Sequence, residues 1–199
     1  MDHPYLSAVI IAFNEERNIG RCLDSLAGIA DEVLVIDSGS RDRTESICNE
    51  KGAKVIYHPF EGHVEQKNWA WNQATGAWIL SLDADECLSE ELIRSLEAWK
   101  LEENPACAAY SFNRLTSYCG KWVRHSGWYP DRKLRLWKRG TAAWEGENPH
   151  DRLALQKPGI LGWLAGDLLH YSYHSREDHY KQIDYFSDIA ATAYSGNPQ

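Results

Sequence analysis

A chain of 199 residues, 43% hydrophobic and 25% charged, is long enough to bury one core and too short for two unrelated domains of ordinary size. Its net charge of -8 argues against a general nucleic-acid binder, which needs a basic surface to neutralise phosphate. No run approaches the roughly 20 apolar residues that span a bilayer. The opening Met1, Asp2, His3, Pro4 and Tyr5 lack the basic start and apolar run of a signal peptide, so a cytoplasmic location is expected. Cys22, Cys48, Cys87, Cys107 and Cys119 are odd in number and scattered without a Cys-x-x-Cys pair, as reduced, packed thiols would be.

Residues 6–13 form a continuous apolar run, too short for a helix of its own and suited to a buried parallel strand. Asn14 is expected to cap a helix with Glu15 and Glu16 in its first turn and Ile19, Cys22, Leu23 and Leu26 at helical spacing. The pattern repeats with a strand over 32–36, a helix over 43–50 ending near Gly52, and a strand over 54–57. A helix over about 64–74 stops at Gly76, and residues 78–82 read as another buried strand. Ser89 opens a further helix with Leu92, Ile93 and Leu96 facing inward.

Strands separated by helices imply right-handed crossovers and an α/β fold with a mostly parallel sheet covered on both faces. From about Ala106 the pattern changes to short strand-like runs at 109–112, 133–137 and 160–164, expected to form a small mixed sheet extending the first. Ser175 and Asp178 resemble a capping box ahead of a terminal helix. The whole chain, 1–199, thus reads as one domain with a first half to about 104 and a second from about 105.

Ligands of such sheets bind outside the carboxyl ends of the strands, which is where Asn14, Asp37, Asp83 and Asp85 fall. Asp83 and Asp85 follow a buried strand at i and i+2, a spacing that in extended backbone points both carboxylates to one side. Paired hard oxygens suit Mg2+ or Mn2+, whose remaining positions are filled by water and substrate phosphate. Two aspartates after a strand also make an ordinary turn or cap, and Asp37 before Ser38, Gly39 and Ser40 also suits an Asx turn. Arg132, Lys133, Arg135, Lys138 and Arg139 concentrate positive charge in one short segment, where they could meet a diphosphate or a phosphorylated acceptor, or form a solvated strand face.

Three ordered segments, 12–15, 35–44 and 80–85, make the chain similar to family 2 glycosyltransferases of the GT-A (Rossmann-like) fold, nearest the bacterial group that builds the lipopolysaccharide core. The resemblance implies an inverting transfer of a sugar from a nucleoside diphosphate, UDP by expectation, to a hydroxyl of a glycan or glycolipid. The first half would then hold the nucleotide-sugar donor and the second the acceptor. It assigns Ala12, Asn14, Glu15, Asp37 and Asp83 to the nucleotide, with Gln66 and Lys67 near it, and Asp85 to a bound Mn2+ or Mg2+ with His170 completing the shell. Residues 144–151 resemble the family's His-Glu element and place Asp151 at the position of the base, one methylene shorter than the more usual Glu, with Glu147 as its rival. Arg132 and Arg135 are assigned to the diphosphate or acceptor. Peripheral contact with the inner face of the cytoplasmic membrane is a further expectation.

Three other readings are to be weighed. A dehydrogenase is disfavoured because the first strand-helix turn lacks Gly-x-Gly-x-x-Gly. A sugar nucleotidyltransferase would carry a Gly-rich, basic first loop where this one is acidic, and a nucleotide-sugar-binding module without turnover would not need a candidate base.

Overall fold

The computed structural model describes residues 5–102, 105–146 and 151–195. The first half runs β1 (Leu6–Ala12), α1 (Ile19–Leu26), β2 (Glu32–Asp37), α2 (Thr44–Glu50), β3 (Lys54–Tyr57), α3 (His63–Asn72), β4 (Trp78–Asp83), β5 (Glu86–Leu88) and α4 (Glu90–Lys100). The second half runs β6 (Ala109–Tyr118), β7 (Lys121–Trp122), β8 (Asp131–Lys138), β9 (Ala142–Glu145), β10 (Arg152–Leu155), β11 (Leu161–Tyr173) and α5 (Arg176–Ser195).

One sheet carries both halves in the order β3-β2-β1-β4-β8-β6-β11-β5, with β7 paired to β6. β1 is parallel to β2 and β4, and β2 to β3, whereas β8 joins β4 and β6 antiparallel. The antiparallel pair β9 and β10 stands apart. Strands β1 to β4 are therefore parallel, β5 and the second half continue the same sheet as a mixed one, and the expected α/β architecture holds.

The apolar runs alternate because successive strand residues face opposite ways. Leu6, Ala8, Ile10 and Ala12 of β1 join Trp78, Leu80 and Leu82 of β4 in a core beneath α1 and α4. Val9, Ile79, Leu34 and Ile36 pack on the other face with Ala70 and Ala74, at and after the end of α3. Both faces are covered, which is why these strands are apolar at most positions and even their Ser7 and Ser81 are buried.

Helix α1 buries Ile19, Cys22, Leu23 and Leu26, the set expected from spacing. Its start differs. Asn14 is not the cap: it takes a left-handed backbone (φ 55), and the helix begins at Ile19 after Asn18. Asn14 is used between loops instead, its Oδ1 accepting from the Arg41 N–H at 2.8 Å and its own N–H donating to Ser40 Oγ at 2.8 Å. Asparagine tolerates this conformation better than most residues. Ser89 does cap α4, accepting from the Leu92 N–H at 3.2 Å, and Ser175 accepts from the Asp178 N–H at 3.1 Å ahead of α5. The strand expected over 160–164 continues to Tyr173, which carries His170 into the sheet. Among the described residues no helix is long and apolar enough to cross a membrane.

Candidate functional site

Because β1, β2 and β4 are parallel, the loops leaving their carboxyl ends gather on one rim of the sheet. There they surround a cavity of about 440 Å3, large enough for a nucleotide-sized ligand. Ala12 reaches it from the end of β1, Glu15 from the loop that follows and Ser38 from the loop after β2. Gln66 and Lys67 enter from α3, Asp83 and Asp85 from the end of β4, and Asp151 and His170 from the second half.

Asp83 closes β4, and the chain turns at once through Ala84 and Asp85 into β5. Glu86 Oε2 accepts the Asp83 N–H at 2.9 Å, and the Tyr171 N–H of β11 donates to the Asp85 carbonyl at 2.9 Å. Both aspartates do face the cavity, but through this turn and not through the extended spacing expected, since the strand ends at Asp83. The antiparallel pairing of β11 with β5 sets His170 opposite Glu86, which brings His170 Nε2 to 3.1 Å from Asp85 Oδ2. Burial disfavours the charged imidazole, yet the Asp85 carboxylate outweighs it and raises the His170 pKa.

A chain of charges lies beneath the pair. Lys67 Nζ stands 3.0 Å from Asp83 Oδ1 and 2.8 Å from Asp151 Oδ2. Arg135 Nη2 stands 3.2 Å from Asp83 Oδ2 and 3.1 Å from Glu86 Oε1. The Trp144 ring seats both cations, Lys67 Nζ at 4.4 Å and the Arg135 guanidinium at 5.1 Å from its centroid. Burial alone would raise the Asp83 pKa, but Lys67 and Arg135 reverse the sign and hold its carboxyl well below the usual carboxylate range. Glu86 moves the other way, raised by burial and by Asp83 against the pull of Arg135. Glu15 is pushed up to about 7, first by burial and then by the Asp85 charge, although Asn18 Nδ2 donates to its Oε2 at 2.9 Å.

Several expected residues stand elsewhere. Asp37 is buried outside the cavity lining and accepts from the Gly39 and Ser40 N–H groups at 2.9 and 2.8 Å and from the Ser40 hydroxyl, so it forms the Asx turn. Asn14 is likewise outside the lining. Arg132 is exposed and away from the cavity, and Arg135 is a buried counter-ion beneath it, so neither side chain lines it as a diphosphate clamp would. A register shift separates them: Leu134 pairs with Ser111 and Leu136 with Tyr110, so Arg135 is the unpaired residue of an irregularity in β8. Glu147 lies outside the described residues. Gln66, fully buried, shapes the wall: its Nε2 donates to Ser38 Oγ at 3.1 Å and its Oε1 lies 2.8 Å from His58 Nδ1.

Sequence reasoning missed Glu86, Arg114, Phe13 and Phe60. Glu86 immediately follows Asp85, so its position was the available signal. Arg114 lines the cavity from the middle of β6, paired to Asp131 across the sheet, and only strand register reveals it. Phe13 and Phe60 line the cavity with large exposed faces, 58% and 44%.

Asp85 and His170 offer one oxygen and one nitrogen donor side by side. Among the described residues, no group of three or more His, Cys, Asp or Glu is gathered for a metal. A structural zinc, which takes four protein ligands, does not fit this pair. A divalent cation that fills most of its shell with water and substrate phosphate does, as Mg2+ and Mn2+ do.

Residues 7–157 match the model of glycosyl transferase family 2. The chain is 33% identical over 194 residues to an uncharacterized glycosyltransferase of Rickettsia typhi, covering 94% of this chain and 66% of that protein. It is 30% identical over 182 residues to the lipopolysaccharide core biosynthesis glycosyltransferase LpsC of Rhizobium meliloti, covering 83% and 63%. It thus spans about two thirds of the length of these relatives. Among solved structures, S. aureus TarS superposes with a TM-score of 0.60 at 19% identity, over 89% of this chain and 38% of TarS, a likeness of fold. With three quarters of its length inside the family model, the chain belongs to glycosyl transferase family 2.

Proposed function

We propose that this chain transfers a sugar from a nucleoside diphosphate, UDP first among those to be tried, to a hydroxyl of a glycan or glycolipid, with inversion at the anomeric carbon. The observation that carries this reading is Lys67, which joins the carboxylate at the end of β4 to a second carboxylate, Asp151, across a nucleotide-sized cavity. A donor site and a candidate base thus share one cleft. Ala12, Glu15, Ser38 and Gln66 would surround the nucleoside, with Phe13 and Phe60 offering aromatic faces to its base.

Asp85 and His170 would hold a divalent cation, Mn2+ or Mg2+, which when bound supplies positive charge to the donor's phosphates. In the transfer itself, the Asp151 carboxylate accepts the proton of the acceptor hydroxyl as that oxygen bonds to the anomeric carbon and the bond to the diphosphate breaks. Lys67 fixes Asp151 in place, and Arg135 fixes Asp83 from below. Lipopolysaccharide core, reached from the cytoplasmic side of the membrane, is the first acceptor to test, because LpsC carries that name.

The test is nucleotide release from a panel of nucleoside-diphosphate sugars with Mn2+, with and without acceptor oligosaccharides, on wild type and Asp151→Asn. Acceptor-stimulated release that Asp151→Asn removes supports the reading. Nucleotide binding without turnover on any donor and acceptor would instead make this a binding module.

A further inference from the structure

Beside the donor cavity lies a second one of about 320 Å3, within the ordinary range of about 300–1,000 Å3 for small-ligand sites. The two share Arg114, His170, Ser172 and Tyr173, so a molecule in the second reaches the chemistry of the first. Polar groups line part of it: Arg114 and Thr116 of β6, Asp131 of β8 and Ser172 of β11. Trp128, on the segment between β7 and β8, and Tyr173 supply aromatic wall.

Trp128 is 37% exposed, yet the segment that carries it is pinned. The Val123 N–H donates to the Thr116 carbonyl at 3.0 Å, and the Tyr129 hydroxyl donates to Asp167 Oδ1 at 2.9 Å. The indole packs edge-on against Tyr118, with centroids 6.2 Å apart, and tilted against Tyr173 at 6.3 Å. A large apolar face is thus held in water beside a row of hydroxyl and carboxylate groups. That combination matches a pyranose, which has an apolar C–H face and a rim of hydroxyls.

The charges at this cavity are already matched. Arg114 Nε and Nη2 lie 3.0 and 2.9 Å from Asp131 Oδ2, and Lys133 Nζ lies 3.0 Å from Asp131 Oδ1. Arg114, the lining cation outside the proposed metal site, therefore already has a carboxylate partner, so an anionic sugar would have to break a formed pair.

We propose that the second cavity is the acceptor subsite, that it takes a neutral pyranose in preference to a sugar acid, and that the face of Trp128 is its stacking platform. This rests on the transfer reading given above. The test uses the indole N–H resonances of the isotope-labelled full chain, with the Trp128 signal identified by its loss in Trp128→Phe. Methyl glucoside, galactoside, mannoside and glucuronide are titrated with UDP and Mn2+ present. At least one neutral glycoside is expected to shift the Trp128 signal saturably, with the glucuronide roughly tenfold weaker. In Trp128→Ala, magnetisation transfer from protein to sugar should report binding weakened roughly tenfold, and Trp128→Tyr should restore most of it. Unchanged remaining indole signals verify the fold of each variant.

The proposal is overturned if no neutral glycoside moves the Trp128 signal, if the glucuronide binds as well as the neutral sugars, or if Trp128→Ala binds like wild type. Donor turnover by wild type alongside any of these results sinks the subsite alone. Glycoside binding at Trp128 in a chain that neither binds nor turns over a nucleotide sugar sinks the transfer reading, and the role as acceptor subsite falls with it.

Discussion

Replacing Lys67 with methionine keeps a similar volume but removes the ammonium shared by Asp83, Asp151 and the Trp144 ring. Breaking a buried ion pair by removing one partner costs about 3–5 kcal/mol. Here the two carboxylate side chains keep 27% and 15% of their exposure, and Asp83 retains Arg135 at 3.2 Å, which reduces the expected loss to ~2–3 kcal/mol. At about 2–4 °C per kcal/mol for a chain of this size, the melting temperature falls by ~4–12 °C near neutral pH. Adding Asp151→Asn removes one stranded carboxylate, so the double variant should recover ~1 kcal/mol relative to additivity. The folded pKa of Asp83 lies below its unfolded value of 3.8, so its share of this stabilisation is present above about pH 4 and fades as pH falls below it. Thermal melts of the two single variants and the double variant complete the cycle. A Lys67→Met melting temperature within ~2 °C of wild type, or strict additivity, would refute the reasoning.

Asp151→Asn is expected to lower transfer roughly a hundred- to ten-thousand-fold while UDP affinity stays within about threefold. Retained turnover would move the base to Glu147. Glu15, lifted from 4.5 to about 7, contributes stability in its protonated form that is complete below about pH 4.5 and lost as pH rises through about 7. The shift of about 2.5 pH units sets a ceiling of about 3 kcal/mol, and partial exposure reduces it to ~1–2 kcal/mol. In the metal-free protein, Glu15→Gln should therefore gain that much stability relative to wild type between about pH 4 and pH 9, read from denaturant midpoints. The same stability difference at both pH values contradicts this. At Gly166, where φ is +101°, an added Cβ would meet the Leu92 nitrogen of α4 at 2.3 Å. Gly166→Ala should cost about 2–4 kcal/mol in urea unfolding, and a wild-type midpoint would show that α4 and β11 do not pack this closely.

Much of the donor half was legible because local signals and global topology agree there. Continuous apolar runs such as residues 78–82 announce strands buried on both faces, and Ile19, Cys22, Leu23 and Leu26 announce a helix stripe. A parallel sheet then dictates which strand ends carry the ligand, which is why Asp83, Asp85, Ala12 and Glu15 do meet at one cavity. Asn14 shows the limit. Its residue type suits a cap and a left-handed turn equally, and the choice is made by Ser40 and Arg41 across the loop. Arg135 shows another. A cluster of basic residues does not reveal the register shift in β8 that leaves Arg135 unpaired in the ladder and under Asp83 and Glu86, while Arg132 stands in solvent. The Lys67 bridge to Asp151 spans 84 positions, a separation that periodicity and motif spacing do not register.

Under the function proposed above, Asp85 and His170 at this rim of the sheet hold a divalent cation and, through it, the phosphates of an activated sugar. Calorimetric titration of UDP into wild type and Asp85→Ala, each with Mn2+ and again with chelator, tests it most directly. Saturable binding that depends on Mn2+ is expected in wild type, and its loss in an Asp85→Ala protein that still melts cooperatively. UDP binding of equal strength in all four titrations would contradict it.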